Sequence, residues 1–225
     1  MRFFLVTLVV ILAGCSKPPV PVETPAPVAA PVPEKETKRD NRPVIVAFGD
    51  SLSAGYGLEA GEAYPDYLQK ALDAKGYRYR VVNQGISGDT TSGGVERIQL
   101  ALAEKPRIVI LELGGNDGLR GLPVAISKEN MDRMIQEFKA AGAQVILAGI
   151  TLPRNYGTDY IRDFEQMYPT LATKYKIPRI NFFLEGVATV PSLMQQDQIH
   201  PTAEGCKMVA NRVVLPVLEP LLRKN

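Results

Sequence analysis

The chain has no tryptophan, one histidine and two cysteines among its 225 residues. A zinc or other imidazole–thiolate centre needs several such ligands. His200, Cys15 and Cys206 cannot supply them, and no metal is expected. Cys15 closes a short apolar run near the N-terminus, where a processing signal explains it better than a disulfide does. Cys206 reads as a small buried residue on a C-terminal helix. An excess of one charge is also missing. Six of the 26 Lys/Arg and four of the 24 Asp/Glu fall in residues 1–42, which leaves 20 of each sign beyond them. A neutral domain without tryptophan lacks the basic footprint that phosphate-backbone binding requires, so no nucleic-acid partner is expected.

Long apolar runs are scarce too. Residues 3–12, behind Arg2, are apolar apart from Thr7, enough for a secretory signal and short of a membrane span. Leu12-Ala13-Gly14-Cys15 follows and resembles the bacterial lipobox. The resemblance implies cleavage before Cys15, lipidation of Cys15 and, with Ser16 next, export to the outer membrane facing the periplasm. Residues 16–41 hold seven of the 18 prolines and no glycine, the composition of an extended spacer. Such a stretch could hold a domain on the order of 50 Å from the membrane. The expected organisation is a signal peptide at 1–14, a lipidated Cys15 and proline-rich tether at 15–42, and one catalytic domain at 43–225, in a monomeric protein.

From Val44 onward, short β-branched runs alternate with longer segments of helical periodicity. That pattern belongs to an α/β fold, a three-layer sandwich whose parallel sheet has helices on both faces. Strands are expected at 44–48, 79–83, 108–113, 145–150 and 179–181, and helices at 64–75, 94–104, 128–141, 160–175 and 203–222. Thr202 is placed to cap the last helix. In an open parallel sheet the site lies beyond the carboxyl ends of the strands. Four polar clusters fall there: Gly49-Asp50-Ser51, Asn83-Gln84-Gly85, Gly114-Gly115-Asn116-Asp117 and Asp197-Gln198-Ile199-His200.

A serine hydroxyl becomes a useful nucleophile when a histidine, oriented by a carboxylate, takes its proton. Ser51, His200 and Asp197, three residues before the histidine, fill those roles. The tetrahedral intermediate needs donors for its oxyanion; the backbone N–H groups of Ser51 and Gly85 and the side-chain amide of Asn116 are the expected ones. No G-x-S-x-G surrounds any serine, which excludes the nucleophile elbow of the α/β-hydrolases. The run from Gly55 to Ala60 imitates a dinucleotide fingerprint but lies too far beyond the first strand for the tight turn required. No cofactor is expected.

Ser51 in Gly-Asp-Ser-Leu, Gly85, Asn116 in Gly-Gly-Asn-Asp and His200 in Asp-x-x-His-Pro resemble, in order and spacing, the four blocks of the SGNH, or GDSL, hydrolase superfamily. The segments 114–122, Leu152-Pro153 with Asn155-Tyr156-Gly157, and 199–205 look like its bacterial arylesterase, thioesterase I and lysophospholipase branch. The resemblance implies a flavodoxin-like five-stranded parallel sheet, a metal-free Ser-His-Asp mechanism, and hydrolysis of aryl or acyl esters, acyl thioesters and lysophospholipids. Leu119, Leu152 and Tyr156, with Leu122, are the apolar residues expected to contact substrate. Two other readings stand beside this one: a deacetylase-type esterase acting on an envelope polysaccharide, and an envelope lipoprotein that binds lipid or glycan without turnover.

Overall fold

The computed structural model describes residues 40–223. The expected signal peptide and residues 15–39 of the expected tether lie outside the described residues. The first strand, β1 (Val44–Gly49), is buried along its whole length. A four-residue helix, α1 (Ser51–Ala54), follows at once, capped by Asp50, whose carboxylate accepts from the Leu52 N–H at 3.0 Å. Then come α2 (Tyr64–Ala74), β2 (Arg80–Gly85), α3 (Thr91–Ala103), β3 (Ile108–Glu112), α4 (Gly115–Leu119), α5 (Val124–Ala140), β4 (Gln144–Ala148), α6 (Thr158–Tyr175) and β5 (Arg179–Ile180).

The five strands form one parallel sheet in the order β2-β1-β3-β4-β5. The chain moves from β1 to β2 in one direction and then crosses back to β3 and onward in the other. Right-handed crossovers therefore put α2 on one face and α3, α5 and α6 together on the opposite face. The order reverses between β1 and β3, which is where a parallel sheet opens a crevice. Ser51 leaves β1 and Asn116 follows β3, so both enter that crevice from adjacent strands.

The C-terminal segment departs from the single helix expected over 203–222. It starts as α7 (Ala203–Met208), with the Thr202 hydroxyl accepting from the Gly205 N–H at 3.3 Å, as the sequence led us to expect. It then widens into a π-helical stretch, Val209–Val214, before α8 (Leu215–Leu218) and a final 3₁₀ turn at Glu219–Leu221. Pro216 and Pro220 explain the change: neither has an N–H to continue the ladder, and each ring crowds the carbonyl four residues back. This segment packs against α2 and completes the first face.

Two loops expected at the sheet rim are in fact the short helices α1 and α4, and β2 runs two residues beyond its expected end. Pairing with β1 sets that end, since the register joins Val44 to Arg80 and Gly49 to Gly85. Cys206 lies on α7, 1% exposed, and burial pushes its thiol up to about 12. Among the described residues, no helix is long and apolar enough to cross a membrane.

Candidate active site

Asp50 ends β1 by capping α1, so Ser51 stands at the first position of a helix, above the sheet edge. His200 reaches the same point from a tight turn 149 residues later. That turn closes around Asp197, whose Oδ1 accepts the backbone N–H groups of Ile199 at 2.9 Å and His200 at 3.0 Å. Gln198 makes the bend possible by adopting a left-handed φ of 57°. Asp197 Oδ2 lies 2.6 Å from His200 Nδ1, and His200 Nε2 lies 2.8 Å from Ser51 Oγ.

These distances fix the proton positions. Burial raises the Asp197 carboxyl, but the His200 ring and the two backbone N–H groups outweigh it and hold the group down at about 2. Asp197 is then an acceptor only, so Nδ1 carries the imidazole proton and donates it. Nε2 keeps its lone pair and accepts the Ser51 hydroxyl proton.

Beneath the nucleophile lie two further carboxyls. Asp50 is 3% exposed, and burial pushes it up to about 6 against the stabilising Leu52 N–H, His200 and the Asn116 amide. Glu112, at the end of β3, is fully buried and accepts the Ser53 hydroxyl at 2.7 Å. Burial, then the neighbouring Asp50 charge, pushes Glu112 well above the usual carboxylate range. The shift favours the protonated acid, and Glu112 joins β3 to α1 under Ser51.

The structure brings Asn116 to the site. Its Nδ2 donates to Asp50 Oδ2 at 3.1 Å and to the Asp89 carbonyl at 2.9 Å. Neighbouring Asp117, buried, accepts from Thr91 N at 2.9 Å and from the hydroxyls of Thr91 and Ser127, which pins α4 against α3 and α5.

Gly85 has a different place from the one expected. It is the last residue of β2, and its N–H donates to Asn83 Oδ1 at 2.9 Å. Its missing side chain lets α1 come close: a Cβ there would stand 2.2 Å from the Ala54 nitrogen. Gly88, left-handed at φ 82°, precedes Asp89, whose carbonyl accepts from Asn116. The Gly88 carbonyl accepts from Arg120 at 2.9 Å, while Arg97 holds Asp89 at 2.6 Å and the Gly49 carbonyl at 2.9 Å. The backbone N–H groups of Ser51 and Gly88 make no hydrogen bond among the described residues.

A cleft of about 430 Å³ opens beside Ser51, Asn116 and His200. Leu119 and Leu152 line it as expected. Tyr156 does not. It stands behind the lining, its hydroxyl donating to the Leu119 carbonyl at 2.8 Å, as Tyr160 does to Leu122 at 2.7 Å. Ile150, Phe182, Leu184, Ala188 and Met194 supply most of the remaining apolar wall. They come from segments after β4 and β5 that look like ordinary core in the sequence, so no local pattern could have marked them.

A serine, histidine and aspartate in one hydrogen-bonded line, at the switch point of a parallel sheet, define a serine hydrolase. Residues 47–208 match the GDSL-like lipase/acylhydrolase family, and the chain belongs to it. It is 47% identical over 180 residues to Esterase TesA of Pseudomonas aeruginosa, covering 79% of this chain and 89% of that protein. It is 40% identical over 182 residues to the Thioesterase 1/protease 1/lysophospholipase L1 of Escherichia coli K12, covering 80% of this chain and 86% of that protein. The crystal structure of TesA aligns with a TM-score of 0.76 at 46% identity, over 80% of this chain and 99% of that one.

Proposed function

We propose that this chain hydrolyses acyl and aryl esters, acyl thioesters and lysophospholipids through an acyl-enzyme on Ser51, at the bacterial outer membrane. The observation that carries this reading is the unbroken Asp197–His200–Ser51 relay opening onto an apolar cleft. The relatives named esterase, thioesterase and lysophospholipase support it. An acyl chain fits a wall of leucine, isoleucine, phenylalanine and methionine, whereas the polysaccharide of a deacetylase would meet few polar partners there.

Ser51 Oγ attacks the ester carbonyl as its proton passes to His200 Nε2. The oxyanion takes hydrogen bonds from the Ser51 and Gly88 N–H groups and from the Asn116 amide, which releases Asp50 Oδ2 to turn one N–H to it, each such donor contributing about 3–4 kcal/mol to transition-state stabilisation. As the intermediate collapses, the bond from carbon to the leaving oxygen or sulfur breaks, and His200 returns its proton to that atom. Water then attacks the acyl-serine, giving one proton to His200, and the carboxylic acid leaves as Ser51 recovers its hydrogen. Asp197 stays ionised throughout and steadies the imidazolium.

Lipid anchoring at Cys15 rests on the lipobox-like Leu12-Ala13-Gly14-Cys15 and the proline-rich stretch behind it. It would keep the enzyme tethered to a membrane whose lipids the proposed activity consumes.

The test is a chain-length series of para-nitrophenyl esters, with acyl thioesters and lysophosphatidylcholine, on the full chain and on Ser51→Ala. The expected result is kcat/KM rising from acetyl toward longer acyl groups, with no turnover by the variant. Turnover confined to acetyl esters would favour the deacetylase reading, and undiminished turnover by Ser51→Ala would reject the mechanism.

A further inference from the structure

Beyond the triad, a closed circuit of hydrogen bonds ties the nucleophile to its base. The Ser51 carbonyl accepts the Tyr56 N–H at 3.1 Å. The Tyr56 carbonyl accepts Gln195 Nε2 at 2.7 Å. The Gln195 backbone N–H donates to the His200 carbonyl at 2.8 Å, and His200 Nε2 meets Ser51 Oγ to close the ring. Gln195 Nε2 also donates to the Pro201 carbonyl at 2.9 Å, so one amide group grips both sides of the site. Gly57, left-handed at φ 75°, admits it: a Cβ there would stand 2.4 Å from Gln195 Oε1.

The tyrosine in this circuit also touches the base. Its ring lies against the His200 imidazole, centroids 4.5 Å apart and planes at 39°. Tyr56 is 53% exposed, an unusual place for a large aromatic that merely fills space. Its hydroxyl makes no hydrogen bond among the described residues, so the contact that matters is the ring. An aromatic face attracts a cation, and His200 becomes one each time it holds the Ser51 proton.

We propose that Gln195 and Tyr56 are positioning residues of the reaction: the Gln195 amide locks the nucleophile and histidine loops in register, and the Tyr56 ring steadies His200 as an imidazolium. The proposal rests on the triad mechanism above and assigns neither residue to substrate. Their effect should therefore fall on kcat and leave KM nearly alone, because neither touches substrate: the Tyr56 contact strengthens only as the proton moves, and the Gln195 lock sets the geometry of proton transfer.

The experiment compares Gln195→Glu, Gln195→Ala, Tyr56→Leu and Tyr56→Phe in the full chain, using para-nitrophenyl hexanoate and thermal unfolding. Gln195→Glu keeps the shape but has no N–H to give either carbonyl. Its kcat should fall about ten- to a hundredfold, with KM within about twofold, since small misplacements of reacting groups have effects of that size. Tyr56→Leu should lower kcat about two- to fivefold, the scale of a partly exposed cation–aromatic contact, and Tyr56→Phe should recover most of that loss. Where a variant unfolds early, the rate of fluorophosphonate labelling of its folded fraction replaces kcat and should fall in parallel. A parental kcat in both Gln195 variants, a rise in KM without a fall in kcat, or a Tyr56→Phe as impaired as Tyr56→Leu would overturn the proposal. Loss of turnover in Ser51→Ala with parental kcat in these variants would leave the triad mechanism standing and reject the clamp alone.

Discussion

Ser51 is reactive only while His200 presents an unprotonated Nε2, and that depends on an Asp197 held ionised at about 2 by the turn it closes. The carboxyls below the nucleophile behave in the opposite way. Because Glu112 is raised in the folded protein, folding binds a proton that the unfolded chain would release. Its stabilising contribution is complete in acid, below the ordinary carboxylate range. It is lost as the pH rises from that range towards its folded value, and Asp50, raised to about 6, adds to the same slope. Glu112→Gln keeps an acceptor for the Ser53 hydroxyl without a titrating proton. Thermal unfolding should show a parent that loses stability as the pH rises above the ordinary carboxylate range and a Gln variant that loses distinctly less. Equal losses in the two proteins would show that Glu112 is ionised when folded. Ser51, Asp197, His200 and Asn116 were legible because each sits in a short block whose residue types serve one chemistry. Gly85 was misread for a physical reason. The Gly85 N–H is taken by Asn83 and its bare Cα admits α1, whereas Gly88 precedes the Asp89 carbonyl that accepts from Asn116, and none of these contacts shows in the sequence. Tyr56 and Gln195 carried no signal, because their roles exist only once loops far apart in sequence meet.

The elements divide by length and by how local their causes are. All five strands were visible, since β-branched runs such as Val44–Gly49 and Ile108–Glu112 are buried on both faces and show little but apolar residues. Their ends were less so: β2 stops where its register with β1 stops, and that depends on a partner, not on its own residues. Helices of 11 residues or more, such as α2, α5 and α6, showed clear periodicity. α1 and α4 are too short to have any; a cap at Asp50 and buried Asp117 create them. These same helices carry Ser51 and Asn116, so the site stands on elements that periodicity cannot reveal. The break in the last helix was readable in principle, because Pro216 and Pro220 cannot complete an α-helical ladder. A single helix over 203–222 overlooked them.

For the molecule as a whole, parallel topology does most of the positioning. The strand order reverses between β1 and β3, and this brings together residues from both ends of the domain around one cleft. The proposed lipid anchor adds a location to that chemistry. Cys15→Ser should move the protein from the membrane to the soluble fraction of fractionated cells without changing its specific activity. A variant that stays with the membrane would reject anchoring at Cys15.

The central claim is that Ser51 is made nucleophilic by His200 and carries the acyl group. Mass spectrometry of the full chain after brief exposure to a fluorophosphonate measures this most directly. A single adduct on Ser51 is expected, absent from Ser51→Ala and formed far more slowly in His200→Ala. An adduct on another residue, or labelling of Ser51 at an unchanged rate without His200, would contradict it.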